Sequence, residues 1–151
     1  MALLTRGQIE ELIPHRAPFL FVDQVSSVSS DRIVASYQPP ADAPFFQGHY
    51  PGNPVMPGVL LCECAFQAGA LLLAWRGRLA ARSTPVLTRI RDARFRRIVR
   101  PAAPLRMEVV CTEDLQDACY LQGRVFAGDE LALRVEFAVM LAEAAAAETR
   151  T

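Results

Sequence analysis

The residues able to do chemistry lie in one run, Gln47-Gly48-His49-Tyr50-Pro51-Gly52-Asn53-Pro54-Val55-Met56-Pro57-Gly58-Val59-Leu60-Leu61-Cys62-Glu63-Cys64-Ala65-Phe66-Gln67. His49 is a base whose ordinary pKa sits near neutral pH. Glu63 is a carboxyl that burial would turn into an acid. Gln67 follows Glu63 by four residues, so on a helix the two share a face and the amide can donate to the carboxyl. Gly58 stands where a helix would start, and the N–H groups of a first turn are free to polarise an oxygen. One base, one acid and a set of fixed donors therefore lie close in sequence. The plainer reading of each alone is structural: a loop histidine, a carboxylate in a buried network. Their combination points to catalysis.

The elements that must position these groups follow from the same run. Prolines 51, 54 and 57 and glycines 48, 52 and 58 forbid regular structure in its first half. From Val59 to Trp75 there is no proline, and Pro57 suits a first helical turn, where its missing N–H costs nothing. The predicted helix is apolar almost all round, interrupted before Arg76 only by Glu63 and Gln67, so it should be buried. A buried carboxylate must be paired, hydrogen-bonded or neutral.

Around this helix the pattern predicts a short helix over Gln8–Ile13 and strands over Phe19–Val28, Ile33–Tyr37, Val86–Asp92, Leu105–Cys111, Ala118–Phe126 and Leu131–Leu141. A loop should connect Pro39 and Pro40 to His49, and a polar loop should occupy Arg76–Pro85. The alternation loses phase near Ala93, which predicts a bulge or turn, and Gly128-Asp129 reads as a hairpin turn. The tail from Ala142 is expected to fray. About six strands and one long buried helix make an α+β fold, with all 151 residues in one domain.

Composition narrows the function. The chain is 52% hydrophobic, which excludes disorder and suggests buried subunit interfaces. All sixteen basic residues are arginines, so Schiff-base lysine chemistry and a P-loop are excluded. No GxGxxG follows a strand, and no cysteine or histidine spacing suggests a zinc site, so neither cofactor nor metal is expected. The four cysteines read as free thiols. No signal segment is visible and no membrane span is expected, which makes a cytoplasmic location the default. Net charge is zero but uneven. Arg76–Arg106 holds ten arginines against one acid, Asp92. Such a stretch is a solvated surface or a patch for an anionic partner; nothing accompanies it that would enter a nucleic-acid groove.

The run around His49 resembles the signature of the beta-hydroxyacyl-acyl carrier protein dehydratases, Gly-His-Phe-Pro-Gly-x-Pro-x-x-Pro-Gly followed by a helix with a carboxylate and a Gln one turn on. Glu at position 63 is similar to the FabZ branch, where the FabA branch has Asp. Leu12-Ile13-Pro14-His15-Arg16-Ala17-Pro18-Phe19-Leu20-Phe21-Val22-Asp23 and Ala93-Arg94-Phe95-Arg96-Arg97-Ile98-Val99 resemble two further segments of that family. Tyr50 replaces a Phe, Ala17 a common aromatic, and Pro101-Ala102-Ala103 a usual Pro-Gly-Asp.

The resemblance implies the hotdog fold, an antiparallel sheet wrapped round its helix. It implies subunits joined edge to edge as a homodimer, with three dimers often forming a hexamer. It implies dehydration of (3R)-hydroxyacyl thioesters on acyl carrier protein to trans-2-enoyl thioesters, in fatty-acid or specialised lipid or polyketide synthesis. His49 would be the general base, with the Val55 carbonyl setting its tautomer. Glu63 would be the acid, oriented by Gln67, and the Gly58 N–H would face the thioester oxygen. Phe46, Tyr50, Met56 and Phe95 are candidates to line an acyl tunnel at the dimer interface, and Arg94 and Arg97 to dock the carrier protein. A hotdog thioesterase and a non-catalytic acyl-binding subunit are the alternatives.

Overall fold

The computed structural model describes residues 1–79 and 83–143. The elements run in the order α1 (Arg6–Leu12), β1 (Gln24–Val28), β2 (Arg32–Tyr37), α2 (Pro44–Gly48), α3 (Gly58–Trp75), β3 (Ser83–Phe95), β4 (Leu105–Asp114), β5 (Ala118–Ala127) and β6 (Glu130–Glu143). The six strands form one sheet in the order β1-β2-β4-β5-β6-β3, every pair antiparallel. This sheet wraps α3, which is the hotdog architecture.

The long helix is the core. Its Leu61, Cys64, Ala65, Ala68 and Leu72 pack against Met107, Val109, Leu121, Val125, Leu133 and Val135 from the sheet's inner face, all of them buried. Helix and sheet approach closely at Gly69, where a Cβ would lie 2.9 Å from the Phe137 ring. Only a residue without a side chain permits that spacing. The helix is long and apolar enough to span a membrane, but most of its length is enclosed by its own sheet.

Three readings of the sequence need correction. The first strand does not begin at Phe19. It covers only Gln24–Val28, because the carbonyl of Phe19 and the N–H of Phe21 are taken by the Gln67 side chain rather than by a neighbouring strand. A short helix, α2, interrupts the predicted loop before His49, with Pro44 in its first turn. The strand after the polar loop is longer than expected, running from Ser83 to Phe95. Its pairing with β6 shifts register twice, at Leu87–Arg89 and at Arg91–Arg94, with Asp92 in the left-handed region at φ 51°. The predicted loss of phase near Ala93 is the second of these. Strand β6 takes in Ala142 and Glu143, where fraying was expected to begin; the rest of the predicted tail, 144–151, and residues 80–82 of the polar loop lie outside the described residues.

Strand β3 is one edge of the sheet, with no strand on its other side among the described residues. It carries exposed Val86, Leu87, Ile90 and Phe95, and Met140 beside it on β6 is exposed too. A long apolar edge is a template for pairing unless something covers it.

Candidate active site

His49 closes α2 and enters the turn-rich loop. Its Nδ1 lies 2.8 Å from the carbonyl of Val55. A carbonyl can only accept, so Nδ1 carries the proton and Nε2 is left as the bare, basic nitrogen. The Tyr50 ring stacks on the imidazole at 4.1 Å between centroids, with Tyr50 in the left-handed region at φ 60°. Prolines on either side of Val55 stiffen the segment that holds the acceptor. Met56 is pinned in turn by its N–H to the carbonyl of Val99.

Glu63 lies on α3 with its side chain 21% exposed. Gln67, one turn on and fully buried, donates from Nε2 to Glu63 Oε1 at 3.0 Å. The same amide donates to the Phe19 carbonyl at 3.0 Å and accepts from the Phe21 N–H at 2.7 Å. Its rotamer is therefore set by the backbone of the N-terminal segment, and it passes that order to the carboxyl. Burial pushes the Glu63 pKa up, while the Gln67 hydrogen bond pulls the other way.

A third group at this site is absent from the sequence-based assignment. His15 Nε2 is 3.6 Å from Glu63 Oε1. Burial, and then the neighbouring Arg16, lower the His15 pKa, so the ring leans neutral. The available signal was its position in the N-terminal stretch that resembles the family; spacing could not relate a residue before the first strand to one inside the central helix.

Gly58 begins α3 after Pro57, and its backbone is covered by the Phe95 ring, 2.8 Å from where a Cβ would stand. Any side chain there would displace Phe95. Tyr50 and Phe95 are exposed, whereas Phe46 and Met56 are buried in the core of the single chain. A mainly apolar cavity of about 610 Å³ opens between the N-terminal loop, the start of α2 and the first turn of α3, lined by Ala17, Phe19, Phe21, Tyr37, Phe45 and Leu60 among others. That volume is in the range of small-molecule sites. Among the described residues no three His, Cys, Asp or Glu side chains converge as metal ligands.

Several arginines of the basic stretch are held in ion pairs. Arg76 and Arg78 both bind Asp114, Arg94 pairs with Asp92, and Arg97 with Glu130. Arg106 joins Arg32 and Arg124 around Glu108, a carboxylate only 8% exposed.

A family model for the FabA-like domain matches residues 13–136. The chain is 40% identical over 139 residues to the 3-hydroxyacyl-acyl-carrier-protein dehydratase FabZ of Symbiobacterium thermophilum, covering 91% of this chain and 97% of that protein. It is 38% identical over 148 residues to the FabZ of Thermomicrobium roseum, covering 97% and 99%. Among solved structures, the dehydratase heterocomplex ApeI:P from Xenorhabdus doucetiae superposes with a TM-score of 0.77 at 16% identity, covering 89% of this chain and 91% of that one. A hypothetical thioesterase with coenzyme A from Streptococcus pneumoniae superposes at 0.62 with 10% identity, covering 81% and 87%. At these identities both likenesses show the fold alone. The chain belongs to the FabA-like family of hotdog dehydratases. Within that family it is FabZ-like, with Glu63 at the carboxylate position of the helix.

Proposed function

We propose that the chain removes water from a 3-hydroxyacyl group carried as a thioester on acyl carrier protein, leaving the trans-2-enoyl thioester. The observation that carries this is the Glu63–Gln67 pair. It presents a partly buried carboxyl, raised in pKa and held in one orientation, on the helix of a FabZ-like chain.

In this reading His49 Nε2 takes the proton from the carbon next to the thioester. The electrons of that C–H bond become the new double bond. The bond from C3 to its hydroxyl breaks, and Glu63 delivers the proton that lets the oxygen leave as water. Charge building on the thioester oxygen meets the N–H of Gly58 in the first turn of α3. Each turnover leaves His49 protonated and Glu63 ionised, so one proton must pass back before the next.

Within one chain the polar partners of the two groups are separate: His49 has Val55, while Glu63 has Gln67 and His15. We take the enzyme to act in the cytoplasm as a homodimer joined along β3, where the exposed apolar edge would be covered by a second copy. His49 of one protomer would then meet Glu63 of its partner, with the acyl chain among Tyr50, Phe95 and the apolar residues beside Glu63. Arg94 and Arg97 would meet the carrier protein, and the whole chain would act as one catalytic unit.

Incubating the protein with a panel of 3-hydroxyacyl carrier-protein thioesters and weighing the products by mass spectrometry tests the reading. Loss of one water with the thioester intact is expected. Free thiol without enoyl product would replace it with thioester hydrolysis.

A further inference from the structure

The His15 ring is placed with unusual care for a residue in a loop. Arg16 Nη1 donates to the carbonyls of Ile13 at 2.8 Å and of His15 itself at 2.7 Å. The N–H of Phe19 closes a turn onto the Arg16 carbonyl at 2.8 Å. Three residues further, Gln67 grips the backbone of Phe19 and Phe21. The loop is thus tied at several points, and the ring it carries comes to rest against Glu63. The ring's other nitrogen, Nδ1, is buried and has no partner among the described residues. A buried polar atom left unmade asks for a reason.

We infer that His15 is a positioning residue for Glu63: its Nε2 stands 3.6 Å from Oε1, longer than a hydrogen bond but near enough for an N–H dipole to act on the oxygen that already accepts from Gln67, which leaves the acid proton on Oε2. The hydrogen bond from Gln67, with a second N–H edge nearby, makes that oxygen carbonyl-like, because it could hold the proton only by turning it toward N–H groups. The hydroxyl must then be the other oxygen. The same assignment accounts for Nδ1, which in this tautomer is a bare lone pair rather than an unpaired N–H. The lowered pKa of His15 agrees with a neutral ring at working pH. A charged ring would favour the carboxylate and switch the acid off.

The groups that face Glu63 are few. On α3 they are Gln67 and the thiols of Cys62 and Cys64, both raised in pKa by burial and by Glu63 itself. On the N-terminal loop they are His15 and, behind it, the Arg16 guanidinium. Under the shared-site reading His49 of the partner protomer completes the set.

The inference rests on the proposed role of Glu63, and its test separates the two. His15→Phe keeps the ring's bulk and removes the N–H, while His15→Gln keeps a donor at similar reach. In His15→Phe, kcat is expected to fall about 10-fold, a part of what general acid catalysis supplies, with KM little changed. Losing a nearby N–H dipole that favours the carboxylate raises the Glu63 pKa. The alkaline limb of kcat/KM should therefore move to higher pH in His15→Phe and return toward its original place in His15→Gln. An unmoved limb, a shift to lower pH, or equal losses in both variants that track a fall in melting temperature would overturn the inference while leaving Glu63 as the acid. Near-normal turnover by Glu63→Gln would remove the acid itself, and this role of His15 with it.

Discussion

Gln67 Nε2 lies 3.0 Å from Glu63 Oε1, and the same fully buried amide is hydrogen-bonded to the backbone of Phe19 and Phe21. The one carboxyl on the apolar face of α3 is therefore oriented by a residue that is itself locked to a different part of the chain. Disturbing either end of that link should change chemistry before it changes fold.

Glu63→Gln preserves shape and burial but removes the proton donor. Turnover is expected to drop on the order of 10²-fold or more, and Glu63→Asp to retain more activity than Glu63→Gln. The substitution also has a signature in stability. Burial raises the folded-state pKa of Glu63 above the ordinary carboxyl value. Between the ordinary and the raised value the folded state holds more protons than the unfolded one, so wild-type stability falls as pH rises through that window. Melting temperatures measured from pH 4 to 8 should show a fall for the wild type that Glu63→Gln lacks; parallel curves would count against a buried, protonated Glu63.

Mixing two inactive variants tests whether an active site is shared between protomers. Each site of a His49→Ala homodimer and of a Glu63→Gln homodimer carries a lesion. In a heterodimer of the two, one shared site carries both lesions and the other carries none. Random pairing of equal amounts gives about half heterodimers, and so about a quarter of all sites intact. Dehydration per site, measured after co-expression and with heterodimers confirmed by mass, should approach that fraction. No recovery would place both groups within one chain.

Arg94 and Arg97 are exposed, and their ion pairs with Asp92 and Glu130 are surface pairs that add little stability. Reversing both to Glu should leave the melting temperature nearly unchanged. Turnover of carrier-protein substrates should weaken, most at low salt, where charges are least screened. Short pantetheine-like thioesters should be affected much less. Equal losses on both substrates would assign these arginines to structure.

Ala102 sits at φ 62°, in the left-handed region, and its carbonyl accepts from Gln38 Nε2 at 2.6 Å. An alanine held there costs roughly 1–2 kcal/mol relative to glycine, part of which is offset because glycine gains entropy in the unfolded chain. Ala102→Gly should therefore raise stability by about 0.5–1 kcal/mol. Thermal or denaturant unfolding measures this, and a destabilised variant would show that the turn is relaxed as it stands. The chain's departure from the Pro-Gly-Asp pattern at this turn thus has a local cost.

Local chemistry in the sequence determined much of the protein. The proline- and glycine-rich loop, the uninterrupted apolar stretch after Pro57 and the four-residue spacing of Glu63 and Gln67 are all short-range features. Helix α3 begins and ends within one residue of where those features place it. The hairpin at Gly128-Asp129 and the broken phase near Ala93 were legible for the same reason. Only the tertiary structure decided which groups from distant segments meet. Phe19–Val22 has the composition of a strand, yet its backbone groups near Phe19 and Phe21 bond to Gln67, so the strand starts at Gln24. His15 reaches Glu63 across 48 positions because loop, helix and turn pack together. The run of arginines is dense along the chain, but carboxylates beyond it in sequence, on β4 and β6, hold several of its members. Arg106 thereby joins Arg32 and Arg124 around a single buried carboxylate. Helical and strand periods are set by neighbours in the chain, whereas a contact between remote residues exists only once burial of the apolar core has chosen how the elements stack.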